Sequence, residues 1–375
     1  MLHLASISRC TYKSRMTRKP EGTLRRGWTT GACATAATKA ACTALFDGRF
    51  PDPVQITLPK GETPSFPLAY ESLQSASAAA GIIKDAGDDP DVTHGALIIS
   101  TVRPGPANSG LVFHAGPGVG TVTLEGLPVP VGEAAINPVP RQLMTAVAQE
   151  VSGQKSPSLE IEISIPEGEQ LAEKTWNPRL GILGGLSILG TTGVVHPFSC
   201  AAWIHSIHRG IDVARAKGLQ RVAGCTGSTS EKTVQQLYGL PDHAMLDMGD
   251  FAGGMLKYLR RQPVPQVTIG GGFAKLVKLA QGFLDLHSGR SQVDFDWLAA
   301  ELATLGASSE LLDQVRQANT AGQVLILATA HNLPIATQVA ERARQTATEA
   351  LRNAPCEVDI VVVDRQGQIV GRSHA

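Results

Sequence analysis

The segment Asn177–Ser199, NPRLGILGGLSILGTTGVVHPFS, is the stretch that organises the chain. Between Leu180 and Val195 it carries five glycines and no charged residue, and its apolar residues do not recur at helical spacing. Each interior glycine would weaken a helix by about 1 kcal/mol relative to alanine. The segment therefore predicts one or two short buried strands joined by glycine turns, leading into a helix that starts near Ser199.

Two interpretations of these glycines stay open. Glycine lacks the Cβ that would keep a ligand away from backbone N–H groups, and a following helix N-terminus adds partial positive charge, so the segment suits a nucleotide-like or anionic ligand. Alternatively, the glycines only allow two strands to cross closely. Under the first interpretation the ligand-binding candidates are Gly184, Gly185, Gly190, Thr191, Thr192 and Gly193.

Length and composition limit the function classes. A chain of 375 residues exceeds the size at which a single core stops growing, so we expect two domains. The formal net charge is +0 and aromatic residues make up 5%, which gives no electrostatic or stacking case for nucleic acid or for an anionic membrane. Six scattered cysteines without a CxxC pair predict reduced thiols in a cytoplasmic protein.

Three segments are predicted along the chain. Residues 1–22 are basic and lack the apolar core of a secretory signal. They are interpreted as a disordered leader, or the functional start of the protein is Met16 and the residues before it come from a start codon placed upstream. Residues 23–176 form an α+β domain with hairpins and with glycine-rich and acidic loops, and residues 177–375 form a second, α/β domain. The uncharged run after Leu180 is too broken by glycine, threonine and proline to cross a bilayer.

The second domain alternates strands and helices. Strands are predicted over 221–225, 244–248, 266–269, 324–328 and 358–363, with a closing antiparallel hairpin after Arg365. Helices are predicted over about 200–217, 230–238, 251–261, 273–286 and from the 330s to about Leu351, with exposed helical material over 295–319. Repeated β-then-α units predict a Rossmann-like, doubly wound, mostly parallel sheet.

Small-residue loops follow several of these strands: Gly224–Ser228, Gly270–Gly272 and Ala328–Asn332. Ligands of open α/β sheets bind outside the carboxyl ends of the strands, so these loops are expected to converge with the glycine segment on one rim. None of them is a GxGxxG placed straight after a strand or a Walker A sequence, which disfavours a phosphate-gripping site. S-adenosylmethionine, which has no phosphate, fits better, with Gly224, Thr226 and Gly227 as cofactor-binding candidates.

The acidic loop Lys84–Gly95, KDAGDDPDVTHG, is the most pointed feature of the first domain. Its aspartates lack the spacing of an EF-hand, so a metal site is disfavoured. The loop is either a tight turn whose carboxylates cap nearby N–H groups or a polar wall that holds a general base. The catalytic candidates are Asp85, Asp88, Asp91 and His94.

Other chemically capable residues are weaker candidates. His196, Cys200, His205 and His208 would make a poor tetrahedron, so no metal is expected there. Cys33 and Cys225 lack an evident histidine partner and are expected to be buried. Lys275 and Lys278 lie near the positive end of a predicted helix, which favours an anionic ligand such as a carboxylate.

With these motifs in place, the sequence resembles the CbiD family, the cobalt-precorrin-5B C(1)-methyltransferases of anaerobic cobalamin biosynthesis. Ordered matches span most of the chain after Leu24, and the chain departs from the family pattern at His196, at Cys200 and in GCTGSTSE from Gly224. The matching stretches are RGWTTGACA from Arg26, KDAGDDPDVTHG from Lys84, GPGVGTV from Gly116, LPVPVGEAAINPV from Leu127, NPRLGILGGLSILGTTGV from Asn177 and KLVKLAQGFLDLHS from Lys275.

The resemblance implies methyl transfer from S-adenosylmethionine to ring carbon C1 of a cobalt tetrapyrrole, giving cobalt-precorrin-6A. Cobalt would arrive inside the substrate, so no protein-bound metal is expected. The alternatives are an NAD(P)-dependent oxidoreductase and a non-catalytic tetrapyrrole carrier, and the oligomeric state stays open, a homodimer included. Substrate-binding candidates are Thr29, Thr30, Arg103, Gly271, Gly272, Lys275, Lys278 and His287.

Overall fold

An alanine-rich helix forms the centre of the N-terminal half of the chain. The structure is a computed structural model that describes residues 22–373, so the predicted leader lies outside the described residues except for Gly22. The helix starts after Thr29, whose hydroxyl accepts a hydrogen bond from Ala32 N at 3.2 Å, and it ends at Gly48, which has a φ of 74°. The elements of this half are β1 (Gly27–Trp28), α1 (Thr30–Asp47), β2 (Val54–Gln55), β3 (Ser65–Phe66), β4 (Tyr70–Gln74), β5 (Ser77–Ile83), β6 (Leu97–Pro104), β7 (Leu111–Ala115), β8 (Gly118–Val119), β9 (Thr121–Val122), α2 (Pro138–Ser152), β10 (Leu159–Ser164) and α3 (Gly168–Ala172).

A five-stranded sheet packs against α1. Its order is β4-β5-β6-β10-β7, in which β10 and β7 are parallel and the other neighbours are antiparallel. Buried residues alternate with partly exposed ones along β10, so one face of the sheet points into the core. Because Ala36, Ala37 and Ala40 of α1 are fully buried and small, the helix axis lies close to the sheet.

The glycine segment pairs with strands of the N-terminal half. It contributes three two-residue strands, of which the first is antiparallel to β9, the second is parallel to β8 and the third is antiparallel to β1. Ile188, between the second and third strands, is buried in the same core as α1. Short strands are present as predicted, but there are three rather than one or two, and only the second is fully buried. These strands are β11 (Ile182–Leu183), β12 (Gly185–Leu186) and β13 (Val194–Val195).

The C-terminal half contains the second five-stranded sheet. Its order is β15-β14-β16-β17-β18, with the first four strands parallel and the last antiparallel. Helix α5 packs on one face through Val234, and the other helices bury the opposite face. The chain is therefore a mixed α/β protein. The elements are α4 (Cys200–Ala216), β14 (Arg221–Cys225), α5 (Ser228–Tyr238), β15 (Met245–Leu246), α6 (Ala252–Leu259), β16 (Gln266–Gly272), α7 (Phe273–Ala280), α8 (Phe295–Thr304), α9 (Ser309–Arg316), α10 (Ala321–Ala330), α11 (Ile335–Leu351), β17 (Glu357–Val363) and β18 (Ile369–Arg372).

Three predictions in this half are wrong. The predicted strand 324–328 is part of helix α10, which Thr320 caps through a hydrogen bond from Gln323 N at 3.2 Å. A short apolar run such as VLILA does not distinguish a strand from a buried helix by its periodicity. Helix α7 ends at Ala280 rather than near Leu286, because Gly282 adopts a φ of 93°. The segment 295–319, predicted to be exposed, contains the fully buried Leu298, Leu302 and Val315.

Candidate functional site

The end of the glycine segment lies against the start of α1. Gly31 N donates to Leu189 O at 2.9 Å, and the hydroxyl of Thr30 also contacts that oxygen, at 3.2 Å. A Cβ on Gly190 would lie 2.3 Å from Thr29 Oγ1, so only glycine allows this approach. The structure therefore brings the predicted substrate residues Thr29 and Thr30 beside the predicted cofactor residues, which are Gly190, Thr191, Thr192 and Gly193.

Gly184 and Gly185 differ in what surrounds them. A Cβ on Gly185 would lie 2.3 Å from the carbonyl carbon of Gly118, so this glycine serves the close crossing of β12 over β8. Gly184 has a φ of 83°, and a Cβ there would meet no heavy atom within 4 Å. The crossing interpretation thus accounts for Gly185, and Gly184 borders open space.

The carboxylates of the acidic loop are held mostly by cations and amides. Asp85 forms an ion pair with Arg25, whose hydrogen bond lowers the pKa of that carboxyl. Asp91 accepts from the buried Lys84 Nζ at 2.5 Å. Burial acts to raise the pKa of Asp91, but the Lys84 ammonium and the bonds from Thr93 lower it overall. Asp85 also accepts from Gly87 N at 2.9 Å and Asp91 from Thr93 N at 2.7 Å, which are the contacts that the capping interpretation describes.

Asp88 and His94 complete the predicted catalytic set. Asp88 Oδ2 accepts from the backbone N of Arg25 at 2.6 Å. His94 Nδ1 accepts from Ala86 N at 3.1 Å, so the proton of a neutral ring lies on Nε2. The loop packs on β1, where Trp28 N donates to Asp85 O at 2.7 Å. The loop that carries all four predicted catalytic residues thus packs against Trp28, the residue before Thr29.

Sequence reasoning missed Asp89, the residue that joins this loop to α4. Asp89 Oδ1 accepts from Phe198 N at 2.8 Å. Burial raises the pKa of Asp89, with a smaller contribution from the charge of Asp91. Its position two residues before Asp91 gave no signal that separated it from its neighbours, because only the fold brings Phe198 to it.

The ends of β14 and β16 bring a second group of predicted residues together. Thr226 N donates to Gly270 O at 2.9 Å, and a Cβ on Gly271 would lie 2.9 Å from Thr226 Oγ1. Positions 227 and 272 have open space, since a Cβ at either glycine meets no heavy atom within 4 Å. Gly224 is different, because a Cβ there would lie 2.3 Å from Met255 Sδ. The GGG run forms the last three residues of β16 rather than a loop after it. Since 324–328 is helical, the predicted loop 328–332 is not a strand end.

Four residues missed at sequence level border this edge of the sheet. Arg179 Nη2 donates to Glu231 Oε1 at 2.6 Å, and the Arg179 guanidinium lies 4.5 Å from the centre of the Trp176 ring. Trp176 also hydrogen-bonds the side chain of Asp247, which follows β15. Burial raises the pKa of Asp247 to about 7, and the charge of Glu231 adds to the rise. For Asp247 the sequence did offer a signal, because an acid about 20 positions after a glycine loop is typical of nucleotide-binding α/β sheets.

The predicted substrate lysines are engaged within the protein. Lys275 Nζ lies 2.5 Å from Asp250 Oδ1 and 3.1 Å from Leu286 O, and Lys278 Nζ donates to the same carbonyl at 3.2 Å. Burial lowers the pKa of Lys278, and the neighbouring Lys275 lowers it further. His287 Nδ1 accepts from Gly289 N at 3.1 Å. These residues fix the loop that follows α7.

Arg103 lies apart from the acidic loop. It is near the end of β6 and its Nε lies 2.7 Å from Glu160 Oε2 on β10. The acidic loop adjoins the start of β6, about 20 Å away at the usual rise of a strand. Its grouping with the other substrate candidates stays a prediction.

Comparison with known proteins identifies the family. Residues 17–197 match the sequence profile of CbiD, and residues 285–374 match that of the CbiD C-terminal domain. A Brucella anthropi protein named cobalt-precorrin-5B C(1)-methyltransferase is 64% identical over 353 residues, covering 93% of this chain and 95% of the relative. The chain belongs to the CbiD family.

Further relatives of this CbiD chain carry similar descriptions. A Brucella melitensis biotype 1 protein with the same name is 64% identical over 354 residues, covering 93% of this chain and 95% of the relative. A crystal structure described as a cobalamin biosynthesis protein (cbiD) from Archaeoglobus fulgidus is 28% identical, covers 72% of this chain and 84% of that chain, and has a TM-score of 0.40.

The cysteines and histidines of residues 22–373 are the remaining candidates for reactive groups in this CbiD chain. Within residues 22–373, no group of three or more His, Cys, Asp or Glu side chains is placed to hold a metal ion. Cys33 and Cys225 are buried, as predicted, and burial raises the pKa of each thiol to about 12. His208 stacks on Tyr258 with ring centres 4.0 Å apart. A search of the described residues finds no helix long and apolar enough to cross a membrane.

Proposed function

We propose that this chain transfers a methyl group from S-adenosylmethionine to ring carbon C1 of cobalt-precorrin-5B and yields cobalt-precorrin-6A. The observation that carries the proposal is the 64% identity to proteins named for this reaction, over nearly the whole length of both chains. The substrate is then a small cobalt tetrapyrrole, and the enzyme works in the cytoplasm without nucleic acid, membrane or a metal of its own.

We propose two domains that meet near Ser199 rather than at Asn177. The support is that β11, β12 and β13 all pair with strands of the N-terminal half. The following domain is then a Rossmann-like, doubly wound sheet, since four parallel strands carry helices on both faces. This division puts the glycine segment and the acidic loop in one domain and the β14 and β16 strand ends in the other.

The methyl donor is proposed to bind at the strand ends of the C-terminal sheet. The residues there fit a nucleoside, since Gly227 and Gly272 border open space and Asp247 supplies a hydrogen-bond acceptor after β15 in the same sheet. Thr226 and Gly271 pack against each other at the same edge, so Gly271 and Gly272 are reassigned from the substrate to the donor. When bound, S-adenosylmethionine supplies an electrophilic methyl group on a sulfonium.

The tetrapyrrole is proposed to lie against the other domain. Thr29, Thr30 and the segment from Gly190 to Gly193 form its floor, and the acidic loop forms a wall beside it. Methylation of an electron-rich carbon depends mainly on positioning, so these residues would act by orienting C1 and excluding water. For a proton released as the methylated ring rearranges, Asp89 is the proposed acceptor, because it forms no salt bridge among residues 22–373 and burial raises its pKa, although the charge of Lys84 acts to lower it.

Two measurements test this proposal. Isothermal titration with S-adenosylhomocysteine, with NADH as the control, should show binding of the thioether alone. Incubation with cobalt-precorrin-5B and S-adenosylmethionine under anaerobic conditions should yield a product heavier by one methyl group. Binding of the tetrapyrrole without methylation would support the carrier, and binding of NADH would support the oxidoreductase.

A further inference from the structure

The order of strands in the C-terminal sheet creates a crevice at one defined point. The chain leaves β14, forms β15 on one side of it, and then crosses to form β16 on the other side. The connection after β14 therefore leads to β15 at one side of the sheet, and the connection after β16 leads to β17 in the opposite direction. In open α/β sheets, such a switch point, at the carboxyl ends of the strands, is where ligands bind.

Asp247 stands at the carboxyl end of the strand next to this point. Two tryptophans from different parts of the chain fix it: Trp176 hydrogen-bonds its side chain, and Trp203 Nε1 donates to its backbone oxygen at 2.7 Å. The position is 20 residues after Gly227, which is the separation at which an acid reaches a ribose hydroxyl in nucleotide-binding α/β sheets. Asp247 is thus held by two hydrogen bonds at the carboxyl end of β15.

Two carboxyl groups, those of Asp247 and Glu231, lie close together at this edge of the sheet. Glu231 lies in the first turn of α5, near enough for its charge to act on Asp247. One guanidinium, that of Arg179, serves the pair and contacts Glu231. Its Nη1 atom is buried and has no hydrogen-bond partner among residues 22–373. A neutral ligand with vicinal hydroxyl groups could donate to these carboxylates, and one of its oxygens could accept from Arg179 Nη1.

We propose that Asp247 binds the ribose hydroxyl pair of a nucleoside, with the Arg179–Glu231 pair beside it. The identity of that nucleoside as the adenosine of the methyl donor rests on the proposed function. The geometry of the site does not depend on the tetrapyrrole. The raised pKa of Asp247 agrees with this assignment, since a desolvated carboxylate gains most from new donors.

The test is a titration of the full chain with adenosine, 2′-deoxyadenosine and S-adenosylhomocysteine, each with and without the cobalt tetrapyrrole. The wild type should prefer adenosine over 2′-deoxyadenosine by about tenfold or more, the worth of one hydrogen bond to a charged group. Asp247→Asn should abolish this preference. The control is Asp242→Asn, an exposed aspartate before β15, which should keep it.

The outcomes separate the two proposals. If S-adenosylhomocysteine binds Asp247→Asn as well as wild type, the ribose assignment is overturned and the methyl donor stands. If S-adenosylhomocysteine does not bind the wild type but adenosine binds in an Asp247-dependent way, the nucleoside site stands and the proposal that S-adenosylmethionine is the methyl donor is wrong. If no nucleoside binds under any condition, both fail. Should Asp247→Asn not fold, the wild type alone decides, because its preference for adenosine must weaken as pH falls below about 7.

Discussion

Phe198 donates its backbone N–H to Asp89 Oδ1 at 2.8 Å, which joins two segments 109 positions apart. Phe198 holds a φ of 56°, in the left-handed region that costs a residue other than glycine about 1–2 kcal/mol. The bond therefore holds a strained turn in place just before α4. It also ties the acidic loop of one half of the chain to the entry of the other half.

The first prediction concerns the charge of Asp89. Asp89→Asn keeps an oxygen for Phe198 N–H and removes the carboxylate, so the melting temperature should change little and kcat should fall by about 100-fold, a usual loss for a general base. The wild-type rate should rise with pH as Asp89 ionises, above the usual range of an aspartate because burial raises its pKa. The variant should lack this step.

The matched control for Asp89 is Asp47→Asn, an exposed aspartate at the end of α1. Its kcat and pH profile should match wild type. Full activity of Asp89→Asn would leave Asp89 with a purely structural role, and the same measurement on Asp88→Asn, which the sequence also predicts to lose turnover, would then identify the base.

The second prediction concerns the buried cation of the acidic loop. Lys84 has a side chain 2% exposed and binds Asp91 and Thr93. Lys84→Met leaves Asp91 without its cation, so the free energy of unfolding should fall by about 3–5 kcal/mol in urea titration. Adding Asp91→Asn should recover part of the loss, and a double variant no more stable than the single one would contradict the pairing.

The same pair has a pH signature. The pKa of Asp91 is lower in the folded protein, so its ionisation stabilises the fold at neutral pH. That contribution is lost as pH falls through the folded pKa, below the ordinary aspartate value of 3.8. Asp91→Asn should therefore be closer in stability to wild type in strong acid than at pH 7.

The third prediction separates two glycines of one segment. Gly190→Ala places a Cβ 2.3 Å from Thr29 Oγ1, so stability should fall by about 2 kcal/mol or more and tetrapyrrole binding should weaken. Gly184→Ala meets no atom within 4 Å and should cost only the strain of a positive φ, about 1 kcal/mol. Equal losses of melting temperature in the two variants would show that the Thr29 side chain can move away from the added Cβ without destabilising the protein.

Local sequence signals predicted the secondary structure correctly where residues within a single element determine it. The glycines of 177–199 predict short strands because they exclude a helix, and Thr29 and Gly48 mark the ends of α1. The local signals failed at residues 324–328, because an apolar run of this length is compatible with a strand and with a buried helix. The end of α7 was placed too late because Gly282, whose φ of 93° ends the helix, was not recognised as a helix stop.

The sequence was sufficient to pick out individual segments of the site, but not to show which distant residues contact one another. The acidic loop and the glycine segment stood out by composition, and the structure packs the loop against Trp28 and the segment against Thr29. Asp89, Arg179 and Asp247 did not stand out, because what distinguishes them is a partner far along the chain: Phe198, Glu231 and Trp176 respectively. Burial and long-range pairing, rather than residue type, mark these residues.

The fourth prediction tests whether Lys275 contacts substrate or only the loop. Lys275→Ala removes the bonds to Asp250 and Leu286 O, so the melting temperature should fall. The double variant Lys275→Met with Asp250→Asn removes both charges and should recover the melting temperature. The KM for the tetrapyrrole should stay raised by about tenfold in both, because a substrate carboxylate has lost its cation. A KM that recovers with the melting temperature would limit Lys275 to holding the loop.

The fifth prediction gives Asp247 a stability signature that differs from that of Asp91. Its folded pKa of about 7 lies above the ordinary value of 3.8, so the folded state binds more protons between these values. The contribution of Asp247 to stability should therefore decline as pH rises from about 4 to 7, and Asp247→Asn, which carries no charge, should be more stable than wild type at pH 8 and similar at pH 4. Urea titration at both values measures this. A variant that is less stable at pH 8 would show that the carboxylate is needed to hold Trp176, whereas a more stable variant that has lost nucleoside binding would show that the charge is kept for the ligand at a cost to the fold.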